Sequence, residues 1–316
     1  MKISFLRVIV LSGLLALLAH SLLARAQTET PRCARPPVAS GQTRHTLESG
    51  GETRSYVRYV PPGYDPTQPG ALVLSLHGIV SDGAEMVDFT GWNALADEHN
   101  FIVVYPDALF LPNLWVFFPT PDDMHGGEID DVRFFEDLLT ALDTNLCIDA
   151  NRVYVNGFSA GGSMSLYLAC RIPERFAAVG VVAPPFIAQF EDRAWCPPGA
   201  PLPTIAFHST ADTIVPYEGG EGFGWEFAPY ETWTALWAAR SGCDATPETL
   251  VTPEDVRAVR YVNCANNAEV VAYTIIGGAH AWPGGEPPDG FEPITSIDAS
   301  ALMWDFFARH ERDTSG

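Results

Sequence analysis

Gly157-Phe158-Ser159-Ala160-Gly161-Gly162 is the stretch that decides the fold. Residues 152–156 before it are mostly β-branched or aromatic and predict a buried strand. Residues 163–170 after it predict a helix. A G-x-S-x-G pattern between strand and helix is typical of a nucleophile elbow, a strained turn that exposes the serine. Small residues beside the serine let strand and helix approach closely. The pattern therefore predicts Ser159 as a nucleophile.

Strand-like and helical patterns alternate along the rest of the chain. Strands are predicted at residues 54–61, 71–76, 101–105, 152–156, 177–183, 204–208 and 270–276. Helices are predicted at residues 92–100, 130–146, 230–240 and 297–310. The alternation predicts an α/β fold, with a mostly parallel central sheet and helices on both faces. Ligands of such sheets bind beyond the carboxyl ends of the strands, where Ser159 is expected.

A nucleophilic serine needs a base and an acid, which follow it in the chain order Ser, Asp or Glu, His. Among the later histidines, His280 lies in a glycine-rich loop directly after a predicted strand, and we take it as the base. His310 lies in an amphipathic C-terminal helix. His208 ends a strand and precedes the best acid, so it breaks the order.

Asp212 is the best candidate for the acid because it follows the strand that ends at His208. Its role would be to hold the imidazole in the right tautomer. A turn-forming aspartate is the structural alternative. Glu218 and Asp244 compete for the role but lie less well relative to the strand.

Two backbone N–H groups are expected to bind the oxyanion of the reaction. Ala160, directly after the nucleophile, supplies one, and Ile79, in the loop after an early strand, is the best candidate for the other. His77 in the same loop is expected to shape it rather than to ionise during the chemistry.

The first 26 residues read as a secretory signal peptide, with a basic start, an apolar run over residues 8–23 and Ala24-Arg25-Ala26 before the cleavage site. The apolar run is short for a membrane anchor, which needs about 20 residues. We therefore expect an exported protein cleaved after Ala26. Residues 27–52 are expected to form an N-terminal arm, and residues 53–316 a single catalytic domain.

Six cysteines follow the cleavage site, an even number that favours three disulfides in an exported chain. Zinc binding is a poor alternative, since no C-x-x-C pair occurs. Fifteen pairings are possible. Local spacing favours Cys243 with Cys264 and Cys170 with Cys196, which leaves Cys33 with Cys147 to hold the arm.

The charge balance limits the partners. Loss of the signal peptide leaves 15 basic against 39 acidic residues, a net charge of about −24. Such an acidic protein is not expected to bind nucleic acid, membranes or a polyanionic substrate. Residues 122–131 are rich in carboxylates and include His125, but their spacing does not fit an EF-hand loop, so we expect no metal site.

Several further motifs occur in the same order as in a known family. They are residues 59–64 (YVPPGY), 76–78 (LHG), 91–96 (GWNALA), 101–106 (FIVVYP), 130–132 (DDV), the elbow, 212–217 (DTIVPY) and 280–284 (HAWPG). Together they resemble the exported feruloyl esterases and poly(3-hydroxybutyrate) depolymerases within the family 1 carbohydrate esterases, which have the α/β-hydrolase fold. The resemblance covers residues 53–309. It implies a cofactor-free serine esterase whose triad falls on Ser159, Asp212 and His280.

The expected partner is an ester substrate, either a small molecule or a polysaccharide- or polyester-linked ester. The resemblance favours a feruloyl esterase, with a polyhydroxybutyrate depolymerase, an acetyl xylan esterase, an acyltransferase or a non-catalytic binding protein as alternatives. Many relatives carry a Trp-Asn and paired-cysteine stretch before the Asp-Asp-Val helix, of which only Trp115 remains here. Candidates for an aromatic cleft are Trp115, Phe117, Phe118, Trp225, Trp282 and, beside them, His77. Packing in the core is the alternative for each of the tryptophans and phenylalanines. Oligomeric state does not follow from the sequence.

Overall fold

A computed structural model describes residues 33–110, 112–117, 129–187, 196, 201–222, 224–286 and 292–312. The predicted signal peptide, Phe118 and most of the acidic segment at residues 122–131 lie outside the described residues.

The core of the described molecule is a mixed ten-stranded sheet. Its strands are Gly41–Ser49 (β1), Glu52–Val60 (β2), Gly70–Leu76 (β3), Ile102–Pro106 (β4), Ile148–Phe158 (β5), Ala178–Val182 (β6), Thr204–Ser209 (β7), Glu248–Thr249 (β10), Val256–Tyr261 (β11) and Val270–Ile275 (β12). They are arranged in the order β1-β2-β4-β3-β5-β6-β7-β12-β11-β10. The block from β4 to β12 is parallel, whereas β1, β2, β10 and β11 pair antiparallel at the two edges. A separate hairpin joins Gly220–Gly222 (β8) to Trp225–Phe227 (β9).

Helices cover both faces of the sheet and define two apolar cores. Three helices pack in the core on one face: Asp131–Asn145 (α3), Ala160–Arg171 (α4) and Tyr230–Arg240 (α5). The other core contains Gly83–Thr90 (α1), Trp92–His99 (α2) and Ala299–Phe307 (α6). Strands β3, β4 and β6 of the parallel block are buried because both faces are covered, which is why they are almost entirely apolar. The α/β fold expected from the sequence is confirmed.

The seven predicted strands and the predicted helices all form, with ends that differ by a few residues. The boundary predicted at residue 53 is wrong, because β1 lies within the expected arm and pairs with β2 over its whole length. The described chain therefore enters the sheet at Gly41, and residues 33–40 before it form no helix or strand.

Three disulfides join Cys33 to Cys147, Cys170 to Cys196 and Cys243 to Cys264, the same pairs that the spacing favours. Disulfides of this number are typical of proteins that fold in oxidising compartments. Across the described ranges, no helix combines the length and apolar character needed to cross a bilayer. In the same ranges, no group of three or more His, Cys, Asp or Glu side chains is arranged to hold a metal ion.

Candidate active site

The loops predicted to carry the chemistry meet at one edge of the sheet. Ser159 follows β5, Asp212 follows β7 and His280 follows β12, and these strands are parallel, so their carboxyl ends lie on the same side. The loop after β3 lies beside them, since β3 pairs with β5. The strand order reverses between β3 and β5, which is where ligands bind in open α/β sheets.

The elbow places Ser159 in a conformation that few non-glycine residues adopt. Its φ of 53° and ψ of −123° mark it as the strained residue between β5 and α4. A Cβ at Gly157 would collide with the Gly161 backbone, and a Cβ at Gly161 would collide with the Leu76 and His77 carbonyls. Glycine is required at both positions because the strand and the helix cross so closely.

The structure brings Asp212 and His280 into direct contact. His280 Nδ1 lies 2.7 Å from Asp212 Oδ2. Since the carboxylate accepts, Nδ1 carries the proton, and Nε2 is left with its lone pair. This is the tautomer that a base acting through Nε2 requires. Within the described residues the Ser159 hydroxyl makes no hydrogen bond, and catalytic hydrogen bonds are often long until substrate binds.

Asp212 is buried and held by four donors. Oδ1 accepts from the Ile214 and Val215 N–H groups at 2.9 and 2.8 Å. Oδ2 faces His280 and also His208 Nε2, which lies 3.3 Å away. Burial alone would raise the Asp212 pKa, but the hydrogen bonds from the two histidines outweigh it, so the pKa is held well below its ordinary value. The carboxylate is therefore ionised at neutral pH.

The loops that carry the acid and the base are bonded to each other. Thr210 N–H donates to the Ile275 carbonyl, and Ala211 N–H donates to the Gly278 carbonyl, at 2.8 and 3.1 Å. Gly277 N–H donates in turn to the Thr210 hydroxyl at 2.8 Å. These bonds join the two loops, so Asp212 and His280 are held in a fixed position relative to each other.

The loop after β3 lies against the nucleophile. A Cβ placed on Gly78 would be 3.4 Å from Ser159 Cβ, so the loop contacts the elbow at Gly78. Ile79, whose N–H is the expected oxyanion donor, is the next residue in the chain. Val80 has a φ of 69°, a rare value for a β-branched residue, and its N–H donates to the Pro112 carbonyl at 3.0 Å. Ala160 begins α4, so its N–H lies at the positive end of a helix.

His77 holds this loop and is not part of a substrate cleft, so the cleft prediction is wrong for this residue. The side chain is fully buried. Nδ1 donates to the Gly78 carbonyl at 2.6 Å, and Nε2 accepts from the Ala108 N–H at 3.0 Å. Burial lowers the pKa of His77, which keeps the ring neutral in this arrangement. Both nitrogens are engaged by backbone groups, as the loop-shaping interpretation requires.

Trp115 and Trp282 are also buried rather than exposed in a cleft, which contradicts the prediction for both. Trp115 Nε1 donates to the His77 carbonyl at 2.9 Å and so supports the loop after β3. Trp282 Nε1 donates to the Ser300 hydroxyl at 3.0 Å, which anchors the loop carrying His280 to α6. Phe117 is likewise buried, which contradicts its place in the cleft. Trp225 on β9 is partly exposed and stays a prediction for the cleft.

Two aromatic residues beside the site were missed in the sequence. Phe158, the residue before the nucleophile, packs its ring 4.6 Å from that of His280, and Phe89 at the end of α1 meets Phe158 edge-on at 4.9 Å. Both are partly exposed. The sequence pointed to Phe158 only through its place inside the G-x-S-x-G pattern, and nothing near Phe89 in the sequence links that residue to the elbow.

Comparisons with known proteins identify a family domain in part of this chain. Residues 54–189 match the family model described as Esterase PHB depolymerase. Feruloyl esterase D of Neurospora crassa is 27% identical over 87% of this chain and 88% of its own length. Feruloyl esterase B of Piromyces equi is 28% identical over 72% of this chain, and the match spans 42% of that longer protein.

A solved structure shows the same fold. The acetyl xylan esterase from Aspergillus awamori superposes with a TM-score of 0.62 at 16% identity, covering 84% of this chain and 99% of its own. The chain thus carries an Esterase PHB depolymerase domain at residues 54–189, and the relatives and the solved structure named here are carboxylic-ester hydrolases.

Proposed function

We propose that this protein is an exported serine hydrolase that cleaves carboxylic esters with Ser159 as nucleophile, His280 as base and Asp212 as acid. The observation that carries the proposal is the 2.7 Å bond between Asp212 and His280 at the sheet edge where Ser159 occupies a strained elbow. The predicted signal peptide and the three disulfides support export.

The proposed reaction uses the tautomer of His280 described above. Nε2 takes the Ser159 hydroxyl proton while Oγ attacks the carbonyl carbon of the ester. The Ile79 and Ala160 N–H groups donate to the oxyanion of the tetrahedral intermediate. The imidazolium, stabilised by Asp212, gives its proton to the leaving alcohol. Water then attacks the acyl-enzyme, again with His280 as base, and the acid is released.

The substrate we favour is a hydroxycinnamoyl ester of a plant cell-wall polysaccharide. Phe158 and Phe89 support an aromatic acyl group, because partly exposed rings next to the nucleophile offer edge-to-face contacts. The exposed Ile79 and Val80 side chains extend this apolar surface on the neighbouring loop. The feruloyl esterase names of the relatives agree with this choice.

Replacement of the nucleophile tests the reaction. Ser159→Ala is expected to remain folded and to lose turnover of p-nitrophenyl acetate by at least about 10³-fold, because no other group forms the acyl-enzyme. A fluorophosphonate probe is expected to label the wild type and not the variant. Ser165→Ala is the matched control, since this serine lies on α4 and donates to the Gly161 carbonyl. Full activity of Ser159→Ala would contradict the assignment.

A side-by-side assay tests the substrate. Methyl ferulate, acetylated xylan and a polyhydroxybutyrate film are offered to the same preparation, and the released acids are measured. We expect the highest kcat/KM on methyl ferulate. Faster release of acetate from xylan, or of hydroxybutyrate from the film, would replace the feruloyl assignment by one of the two alternatives. Added acceptor sugar separates hydrolysis from acyl transfer through the products.

A further inference from the structure

A second histidine, which the proposed reaction does not use, contacts the carboxylate of Asp212. His208, the fifth residue of β7, is buried. Its Nε2 lies 2.8 Å from the Val215 carbonyl and 3.3 Å from Asp212 Oδ2, the oxygen that also accepts from His280. One carboxylate oxygen is therefore shared by two imidazole rings, and the reaction proposed above uses only one of them.

The bonding pattern assigns the proton on His208. A carbonyl and a carboxylate can only accept, so Nε2 carries the hydrogen and shares it between Val215 and Asp212. Nδ1 is buried and has no hydrogen-bond partner among the described residues. In this arrangement Nδ1 carries no proton, because an N–H at that position would be buried without an acceptor. His208 thus offers Asp212 a dipole and not a full charge.

The surroundings of His208 fix the ring in this position. Tyr217 and Tyr230 meet it edge-on, with ring centroids at 5.8 and 5.1 Å. Across the sheet, His208 is in register with Thr274 of β12, which is bonded to the Tyr217 hydroxyl. The titratable and charged groups facing the ring are therefore Asp212, Tyr217 and Tyr230. Behind them lie His280, which is bonded to Asp212, Glu231, which is bonded to Tyr217, and Arg257, which lies 3.9 Å from Glu231.

We propose that His208 is a positioning residue that orients Asp212 toward His280 and limits how strongly the carboxylate attracts the proton of His280. The bond from His208 to the Val215 carbonyl holds the loop folded around Asp212. The same N–H also interacts with Oδ2, so Oδ2 shares its negative charge between two imidazole rings. The inference rests on the proposed function, because it assigns His208 to the same reaction.

Removal of the His208 Nε2–H should alter the pH dependence of the reaction, which a simple loss of packing would not do. In His208→Phe the ring volume is retained but Oδ2 loses its second N–H. The full carboxylate charge then acts on the imidazolium of His280 and stabilises it, so the acid limb of kcat/KM moves to higher pH. Hydrogen-bond partners that orient the ligands of catalytic metals are worth about 10- to 100-fold in activity, and we apply the same scale to His208 as the partner of Asp212. We expect a loss of that size in kcat, with KM changed by less than about 3-fold.

The conservative variant separates positioning from packing. Gln in His208→Gln can place its amide N–H near the position of Nε2, and it is expected to restore kcat to within about 5-fold of the wild type and to return the acid limb to its original pH. His99→Phe is the matched control, since His99 ends α2, which packs against β4 and α6. If His208→Phe does not fold, His208→Met provides the same comparison. Equal kcat and equal acid limbs in the Phe and Gln variants would overturn the proposal.

A measurement without substrate keeps this test independent of the proposed function. The His280 Nδ1 proton lies in the bond to Asp212, and its NMR resonance should lie further downfield in His208→Phe than in the wild type and His208→Gln. An unchanged resonance would overturn the role of His208 even in an active enzyme. Failure of the fluorophosphonate probe to label the wild type would instead overturn the proposed esterase reaction, while the NMR spectrum would still decide whether His208 acts on the Asp212–His280 pair.

Discussion

Asp212 shows how burial and hydrogen bonding together set the properties of a single residue. An unpaired carboxylate in this position would take up a proton, since burial disfavours its charge. Here the Ile214 and Val215 N–H groups and the two histidines compensate for the lost hydration. The result is a low pKa for Asp212 and an imidazole that is oriented before any substrate arrives.

The low pKa of Asp212 predicts how stability depends on pH. Its folded-state pKa lies below the ordinary value of 3.8, so the ionised carboxylate stabilises the fold above about pH 4, and this contribution is lost as the pH falls through the folded-state pKa. Asp212→Asn lacks the contribution at every pH. The difference in free energy of unfolding between wild type and Asp212→Asn should therefore shrink below about pH 4, as measured by urea denaturation across a pH series.

Asp305 supplies the control for this experiment. It is an exposed carboxylate on α6, away from the acid and base loops. Asp305→Asn should change the free energy of unfolding little at either end of the series. A difference between wild type and Asp212→Asn that stayed constant from pH 7 to pH 3 would contradict the linkage.

At the scale of elements, a chain of contacts leads from α3 to the loop after β3. Asp131 on α3 binds Arg54 of β2 through Oδ1 at 2.6 Å and accepts from the Val116 N–H through Oδ2 at 2.7 Å. Trp115, the preceding residue, donates to the His77 carbonyl. The buried ion pair thus holds the segment that supports the proposed oxyanion loop, although it lies away from the reacting atoms.

Two adjacent carboxylates at the start of α3 give a direct test of this pair. Asp131→Asn leaves Arg54 buried and without its counter-charge, so we expect a loss of about 3–5 kcal/mol in the free energy of unfolding. Asp130 is the exposed N-cap residue of the same helix, and asparagine caps about as well. Asp130→Asn should therefore cost about 0.5 kcal/mol or less. Equal losses in urea denaturation would show that the ion pair has no special role.

The sequence predicted the centre of the sheet better than its edges for a physical reason. Strands β3, β4 and β6 are covered on both faces, so continuous apolar runs reveal them. Strand β1 lies at an edge, and its residues alternate between partly buried and exposed, which left it among the expected arm residues. The hairpin of β8 and β9 is rich in glycine and glutamate and gives no such run.

The same reasoning explains which parts of the site could be predicted. Ser159, Asp212 and His280 each follow a strand, so chain order and strand ends suffice to choose them as candidates. The second bond to Asp212 from His208 depends on how the loop folds back on β7, and no spacing reveals that. The tryptophans were assigned to a cleft because burial cannot be read from residue type, and large aromatic side chains also fill cores.

At the scale of the whole molecule, the disulfides restrain segments of very different length. Cys33 and Cys147 are 114 residues apart in sequence, whereas Cys243 and Cys264 are 21 apart. In the chain-entropy model the longer loop restricts the unfolded chain more, by about 5 kcal/mol against about 3 kcal/mol at 25 °C. The longer bond also holds the segment before β1 to the residue that precedes β5.

Paired serine variants test this ranking in the intact chain. Cys33→Ser with Cys147→Ser should lower the free energy of unfolding by about 1.5 kcal/mol more than Cys243→Ser with Cys264→Ser, as measured by guanidinium denaturation. Both variants retain the other two disulfides, so each serves as the control for the other. Equal losses, or a larger loss for the shorter loop, would show that these bonds act through contacts in the folded protein and not through the length of chain that they close.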